Sequence, residues 1–220
     1  MSKLKILTID GPSASGKGSL SRNIAKHLGF KILDSGLLYR AYAYFSKSIS
    51  KIEEIPDLIN NEISFTYNES DVIILHENND ITSELRSEET AKIASKLSAL
   101  PQTREDLLSI QRNFYSEDGL VADGRDMGTV VFPSASLKIF LEASPEVRAK
   151  RRHLELQKRG QEVNMLDLIA DIEQRDMKDR TRAISPLIPA EDSVLIDSSN
   201  MSLDEVLSFT KKLTKKEFNK

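Results

Sequence analysis

Apolar residues recur at two periods along this chain, and the way the periods alternate predicts a layered α/β fold. Residues 4–9 (Leu-Lys-Ile-Leu-Thr-Ile) make a short β-leaning run that stops at Asp10-Gly11-Pro12, as a buried strand entering a turn does. Leu20, Ile24 and Leu28 follow at spacings of four, one face of a helix over 17–28 that Gly29 closes. A second strand at 30–33 and a helix over about 37–47 repeat the unit. Strand, helix, strand, helix is the pattern of parallel strands joined by crossover helices.

The middle of the chain breaks that rhythm. Residues 62–67 and 71–75 flank Asn68-Glu69-Ser70 and predict a hairpin, and Asn78-Asn79-Asp80 turns the chain into Ile81. This is expected to be a small antiparallel insert in one α/β domain spanning 1–220. Two helices, about 87–99 and 102–116, lie either side of Pro101. The core pattern then returns with a strand at 120–122, a loop at 123–133 and a strand at 137–141. Ser144-Pro145-Glu146 opens a helix with a hydroxyl cap, a first-turn proline and an acid facing the dipole, expected to end at Gly160. A helix over about 164–180 and a last strand, 194–197, follow. Ser202-Leu203-Asp204-Glu205 is a capping box for the closing helix, with Met201 and Val206 spaced as a hydrophobic staple.

Composition narrows the class. Hydrophobic residues make up 39% and charged residues 30%, enough for a core and a solvated surface. No run of about 18 apolar residues suggests a membrane span, and Met1-Ser2-Lys3 leads into a strand without a signal-peptide layout. There is no cysteine, which removes disulfides and thiolate chemistry; a cytoplasmic location is expected. The net charge of −3 and 6% aromatic content argue against a nucleic-acid partner. Yet Arg148, Arg151, Arg152, Arg159, Arg175, Arg180 and Arg182 crowd one stretch. Such a concentration fits a local site for anions such as nucleotide phosphates, with a salt-bridged surface as the plain alternative.

The strongest motif is Gly11-Pro12-Ser13-Ala14-Ser15-Gly16-Lys17-Gly18-Ser19, which follows a strand and opens a helix. The glycines let backbone amides gather around a polyphosphate, the helix N-terminus adds its dipole, and Lys17 supplies a point charge. A hydroxyl directly after the lysine is missing, since Gly18 precedes Ser19; neither Asn-Lys-x-Asp nor an apolar run ending in Asp-Glu is present. Those absences weaken hydrolase and switch readings. Two further segments, 34–40 and 123–129, leave predicted strands on the carboxyl edge where open α/β sheets bind ligands. They carry Arg40 and Arg125 between acids and glycines. Arg175, Asp179 and Arg182 share a helical face if the helix persists that far, and Arg148, Arg152 and Arg159 share another. Spacing leaves open whether these arginines close on phosphates or form an ion-paired surface.

These segments, with Arg-Asp-x-x-Asp-Arg-x-Arg at 175–182, resemble bacterial cytidylate kinases in order and spacing over nearly the whole chain. The 123–133 string (Asp-Gly-Arg-Asp-Met-Gly-Thr-Val-Val-Phe-Pro) is the most family-specific. The resemblance implies a P-loop nucleoside-monophosphate kinase: a five-stranded parallel sheet with helices on both faces, a small insert at about 62–86 and a short lid at about 153–164. It implies transfer of the γ-phosphoryl of ATP to CMP or dCMP, with Mg²⁺ bridging ATP oxygens, in a monomer without membrane or nucleic-acid partners. By position, Arg40 and Arg125 would grip the CMP phosphate. Ser95, Arg104, Asp126 and Arg182 would recognise cytosine, Arg175 and Asp179 would hold the ribose, and Ser35 and Asp123 would lie close to the nucleotide. The catalytic residues would be Lys17, Arg125, Asp126, Arg148 and Arg152, with Lys17 and the arginines of the lid region stabilising the migrating charge. Many relatives carry Gly-Ala where this chain has Ala14-Ser15, which could alter loop mobility. Another small kinase acting on UMP, AMP or a metabolite such as shikimate, and a catalytically idle nucleotide sensor, are the alternatives.

Overall fold

The computed structural model describes residues 4–67, 72–158, 160 and 162–219. The predicted turn at 68–70, Asp71, Arg159 and Gln161 lie outside the described residues. The chain divides into two compact units, one holding the described residues up to Leu33 and from Tyr115 on, the other Asp34–Phe114.

The first unit is built on the parallel sheet. Strands β1 (Leu4–Asp10), β2 (Lys31–Asp34), β6 (Leu120–Gly124), β7 (Ala135–Glu142) and β8 (Val194–Asp197) lie in the order β2-β6-β1-β7-β8. β1 is central and pairs in parallel with β6 and β7, which explains its nearly continuous burial and apolar run. Leu7 and Ile9 meet Leu20, Ile24 and Leu28 of helix α1 (Lys17–Leu28), and Val206 of α9 (Leu203–Phe218) joins the same core. The four-residue spacing in α1 thus does what the sequence predicts, and Gly29 closes the helix in the left-handed conformation, φ 66°. The capping box of α9 is present, Ser202 and Glu205 each bonding the other's backbone amide.

Two expectations change. The loop at 123–133 contains a π-helical turn over Met127–Val131, pinned because Asp10 accepts from the amides of Met127 and Gly128, each at 2.8 Å. No short-range pattern encodes this, since its anchor is more than a hundred residues away. Helix α8 (Met165–Thr181) stops one residue short of Arg182, whose backbone is extended (φ −64°, ψ 142°). Arg182 therefore reaches Asp179 from a turn rather than from the shared helical face. Helix α7 runs Pro145–Lys158 and includes the start of the expected lid, and Asn164 caps α8 by accepting from the amide of Leu166.

The second unit is helical with a three-stranded sheet. Helix α2 (Ser35–Phe45) is capped by Asp34, whose side chain accepts from the amide of Leu37, so the helix begins two residues earlier than its pattern suggests. Helix α3 (Ile55–Glu62), for which the pattern predicts nothing, has only Ile55 and Ile59 buried. β3 (Ile63–Tyr67) and β4 (Val72–His76) pair antiparallel as the predicted hairpin requires, and β5 (Asn79–Asp80) adds a short third strand. Helices α4 (Thr82–Leu85), α5 (Glu88–Leu97) and α6 (Pro101–Asn113) complete it, Pro101 opening α6 rather than separating helices. His76 ties sheet to helices: its ring nitrogens meet the Tyr44 hydroxyl at 3.0 Å and the Glu62 carboxylate at 2.8 Å.

Candidate active site

Register brings the chemistry of the first unit to one edge. Asp10 lies opposite Gly124 in adjacent parallel strands, so the phosphate loop and the Arg125–Thr129 stretch leave the sheet side by side at its carboxyl ends. Gly11 follows a geometric demand: a Cβ there would stand 2.0 Å from the Leu141 carbonyl oxygen, inside the neighbouring strand. Gly16, the residue before α1, sits at φ 97°, a conformation that favours glycine. Lys17 is buried and its ammonium donates to the Pro12 carbonyl at 2.9 Å, folding back over the loop.

Beneath the loop, burial pushes the carboxyl of Asp10 up to about 7; two backbone amides and Lys17 oppose this, and neighbouring Asp126 adds to it. Gly128 is required beside this carboxyl, because a Cβ would come within 2.8 Å of the Thr8 hydroxyl. Asp123 and Asp126 are both buried, and an Asp123 oxygen lies 3.5 Å from where a Cβ on Gly18 would stand.

The arginines sort into two groups. Arg125 donates through Nε to Asp179, whose other oxygen lies 3.8 Å from Arg182. Burial works against the Asp179 charge, yet Arg125, Arg175 and Arg182 hold its carboxyl below the ordinary value. One carboxylate thus neutralises part of a three-arginine cluster. Arg148 behaves otherwise. Only 2% exposed, it donates to the Ala143 carbonyl (2.8 Å), to the Ser13 carbonyl (3.2 Å) and to both oxygens of Asp176. Its donors are committed to protein acceptors, which differs from an arginine waiting to close over phosphates. Arg152 pairs with Glu155 at 2.8 Å, one turn along its own helix.

Sequence reasoning passed over Arg151. It donates to the Ser15 carbonyl at 2.8 Å and to the Ser198 carbonyl at 2.9 Å. With Arg152, Gly16, Ser198 and Leu203 it lines a cleft of about 370 Å³ beside the phosphate loop. The signal was available, since Arg148 and Arg151 are three apart on one helical face and residue 198 follows the last strand on the ligand-binding edge.

The remaining predicted residues belong to the Asp34–Phe114 unit. Ser35 is buried and its hydroxyl accepts from Gln111 at 2.8 Å, joining α2 to α6. Arg40 donates to the carbonyls of Leu85 (2.7 Å) and Ser87 (3.3 Å). Arg104 donates to the Ser98 carbonyl at 3.0 Å and sits over the Tyr39 ring, 5.8 Å from its centroid; Ser95 is half-buried on α5.

Among the described residues no helix is long and apolar enough to cross a membrane, and no group of three or more histidine, aspartate or glutamate side chains could hold a metal ion. Comparison with known proteins gives a consistent result. The cytidylate kinase family profile matches residues 7–216. A cytidylate kinase of Vibrio parahaemolyticus is 47% identical over 211 residues, covering 94% of this chain and 93% of that protein. One from Aliivibrio salmonicida is 48% identical over 208 residues, covering 92% of this chain and 93% of its own. An uncharacterised protein from Eubacterium ventriosum shares the fold with a TM-score of 0.54 at 12% identity, covering 97% of this chain and 99% of its own. A profile match over nearly the whole length, joined to a phosphate loop and an arginine cluster on one sheet edge, makes this chain a member of the cytidylate kinase family.

Proposed function

We propose that the chain transfers the γ-phosphoryl of ATP to CMP or dCMP, giving ADP and CDP or dCDP. Family membership makes it an ATP-dependent nucleoside-monophosphate kinase. The observation that carries the chemistry is the side-by-side exit of the phosphate loop and the Arg125 stretch from β1 and β6. An acceptor phosphate is ionised at neutral pH, so the reaction needs alignment and charge neutralisation more than a general base.

Roles follow for individual side chains. Gly11–Ser19 cradles the ATP phosphates, and Lys17 swings from the Pro12 carbonyl onto them. The cleft beside the loop, through its Met201, Leu203 and Val206 wall, takes the donor's base and sugar. Arg125 and Arg40 take the acceptor's phosphate, Asp126 accepts from the cytosine amino group, Asp179 and Arg175 hold the ribose, and Arg182, Arg104 and Ser95 complete recognition of the base. Ser35 and Asp123 hold their neighbours in place. Arg152, paired with the exposed Glu155, would exchange that partner for the migrating charge, while Arg148, committed to Asp176, supports the loop. Asp123, whose carboxylate faces Gly18 of the loop, would help to hold the Mg²⁺ that ATP brings. The metal would draw charge from the transferring phosphoryl. The chain is expected to work as a monomer.

Coupled ADP release over CMP, dCMP, UMP, AMP and shikimate, with magnesium and with chelator, tests the reading. Turnover with CMP and dCMP that chelator abolishes is expected. ADP release with another acceptor alone, or ATP binding with no transfer, would refute it.

A further inference from the structure

Three backbone carbonyls of the phosphate loop accept hydrogen bonds from cations. Pro12 receives Lys17, Ser13 receives Arg148 at 3.2 Å and Ser15 receives Arg151 at 2.8 Å. All peptide bonds described are trans, and in a planar trans peptide the amide points opposite to its carbonyl. Fixing the Ser13 and Ser15 carbonyls on α7 therefore turns the amides of Ala14 and Gly16 to the other side. Between the two fixed peptides lie Ala14 and Ser15, joined by a peptide that neither arginine holds, and Ala14 stands at φ 59°, the left-handed conformation that an alanine side chain disfavours. Ser15 adds no side-chain restraint of its own between them, since among the described residues its buried hydroxyl has no hydrogen-bond partner.

The two guanidinium groups are themselves immobile. Arg148 is buried with Asp176 and the Ala143 carbonyl, and Arg151 is held by the carbonyl and the hydroxyl of Ser198 at 2.9 and 3.2 Å. A planar guanidinium with several committed donors fixes direction as well as distance, which a flexible ammonium does not.

We infer that Arg148 and Arg151 are positioning residues for the phosphate loop: from successive turns of α7 they clamp the Ser13–Ala14 and Ser15–Gly16 peptides, which bracket the left-handed Ala14, and hold the amides of Ala14 and Gly16 oriented for a polyphosphate. They act through the loop backbone and not by touching the transferring group. The inference rests on the proposed use of the loop for ATP, and it explains how this chain keeps a left-handed alanine in a loop that must bind tightly.

Arg151 carries the test, because removing Arg148 would strand the Asp176 carboxylate. Binding of ATP and of inorganic tripolyphosphate, which has no base, is measured by calorimetry for wild type, Arg151→Met, Ala14→Gly and the double variant. Arg151→Met should weaken both ligands by about the same factor, on the order of tenfold, with KM for CMP within about twofold. On the Ala14→Gly background the penalty should shrink to about threefold, since glycine adopts the left-handed conformation unaided. Loss of ATP affinity with unchanged tripolyphosphate affinity would mean that Arg151 serves the base, and overturns the clamp. An equal penalty on both backgrounds overturns it too. If Arg151→Met does not fold, Arg151→Lys keeps the stem and one donor, and the same two comparisons decide. Wild-type protein that binds both ligands but transfers nothing to CMP would sink the kinase reading and leave the clamp standing.

Discussion

Arg125 on the loop after β6 and Asp179 near the end of α8 form a hydrogen-bonded ion pair across 54 residues of sequence. The pair is largely buried, with side chains 19% and 8% exposed, and Asp179 faces the charges of Arg175 and Arg182 as well. Asp179 thus offsets part of the cost of gathering three cations, and the Asp123 and Asp176 charges also act on Arg125.

Asp179→Asn should therefore both destabilise the fold and impair the acceptor site. Removing one partner of a buried pair costs about 3 kcal/mol, and the arginines, less fully balanced, should shift apart. Urea unfolding reads the first effect; an increase in KM for CMP larger than that for ATP reads the second. An Asn variant as stable as wild type would contradict the account.

Lys17→Met should leave the fold intact and remove turnover. Its ammonium donates to a carbonyl of the loop itself and not to a strand or helix of the sheet's core, and methionine keeps the buried stem. A fixed positive group at the transferring phosphoryl contributes roughly 100-fold or more to kcat. Steady-state kinetics with CMP and with dCMP, beside a thermal melt, measures both.

Asp126→Ala should erode discrimination between CMP and UMP. The Asp126 backbone carbonyl turns the π-helical segment by accepting from Val130 and Val131, and the substitution leaves that carbonyl in place. A site that hydrogen-bonds an amino group rejects an analogue lacking it because the acceptor is left unpaired. The ratio of kcat/KM for CMP over UMP should fall by about tenfold or more; an unchanged ratio would refute the role.

Asp10 should give stability a pH dependence of unusual sign for an aspartate. Its folded-state value of about 7 lies above the ordinary 3.8, chiefly through burial. Between these values the folded chain holds a proton that the unfolded chain lacks. The contribution is fully present below about pH 4 and is lost as pH rises to about 7, at up to about 1.4 kcal/mol per pH unit. Asp10→Asn lacks this component. Its stability relative to wild type should thus improve steadily from pH 5 to pH 7.5 in urea titrations, and parallel curves would contradict the shift.

Much of the architecture could be read in the sequence. Leu20, Ile24 and Leu28 at spacings of four lie in the core, and Ser202 and Glu205 form their capping box, because each rests on neighbours a turn away. The same locality explains the misses. Helix α3 has two buried residues in one short segment, too few to show a period. The π-helical turn depends on Asp10, far back in the chain.

Sequence by itself determined the order of the five core strands with their crossover helices, the glycine-lined phosphate loop and the family, since these depend on local periodicity and on residue types at fixed spacings. Tertiary structure alone decided what each arginine does. Arg148, Arg151, Arg175 and Arg182 are alike as letters, but a guanidinium is defined by the acceptors that meet its donors. Those acceptors, Asp176, the Ser13 and Ser15 carbonyls and Asp179, are brought within reach only when the sheet and its helices pack.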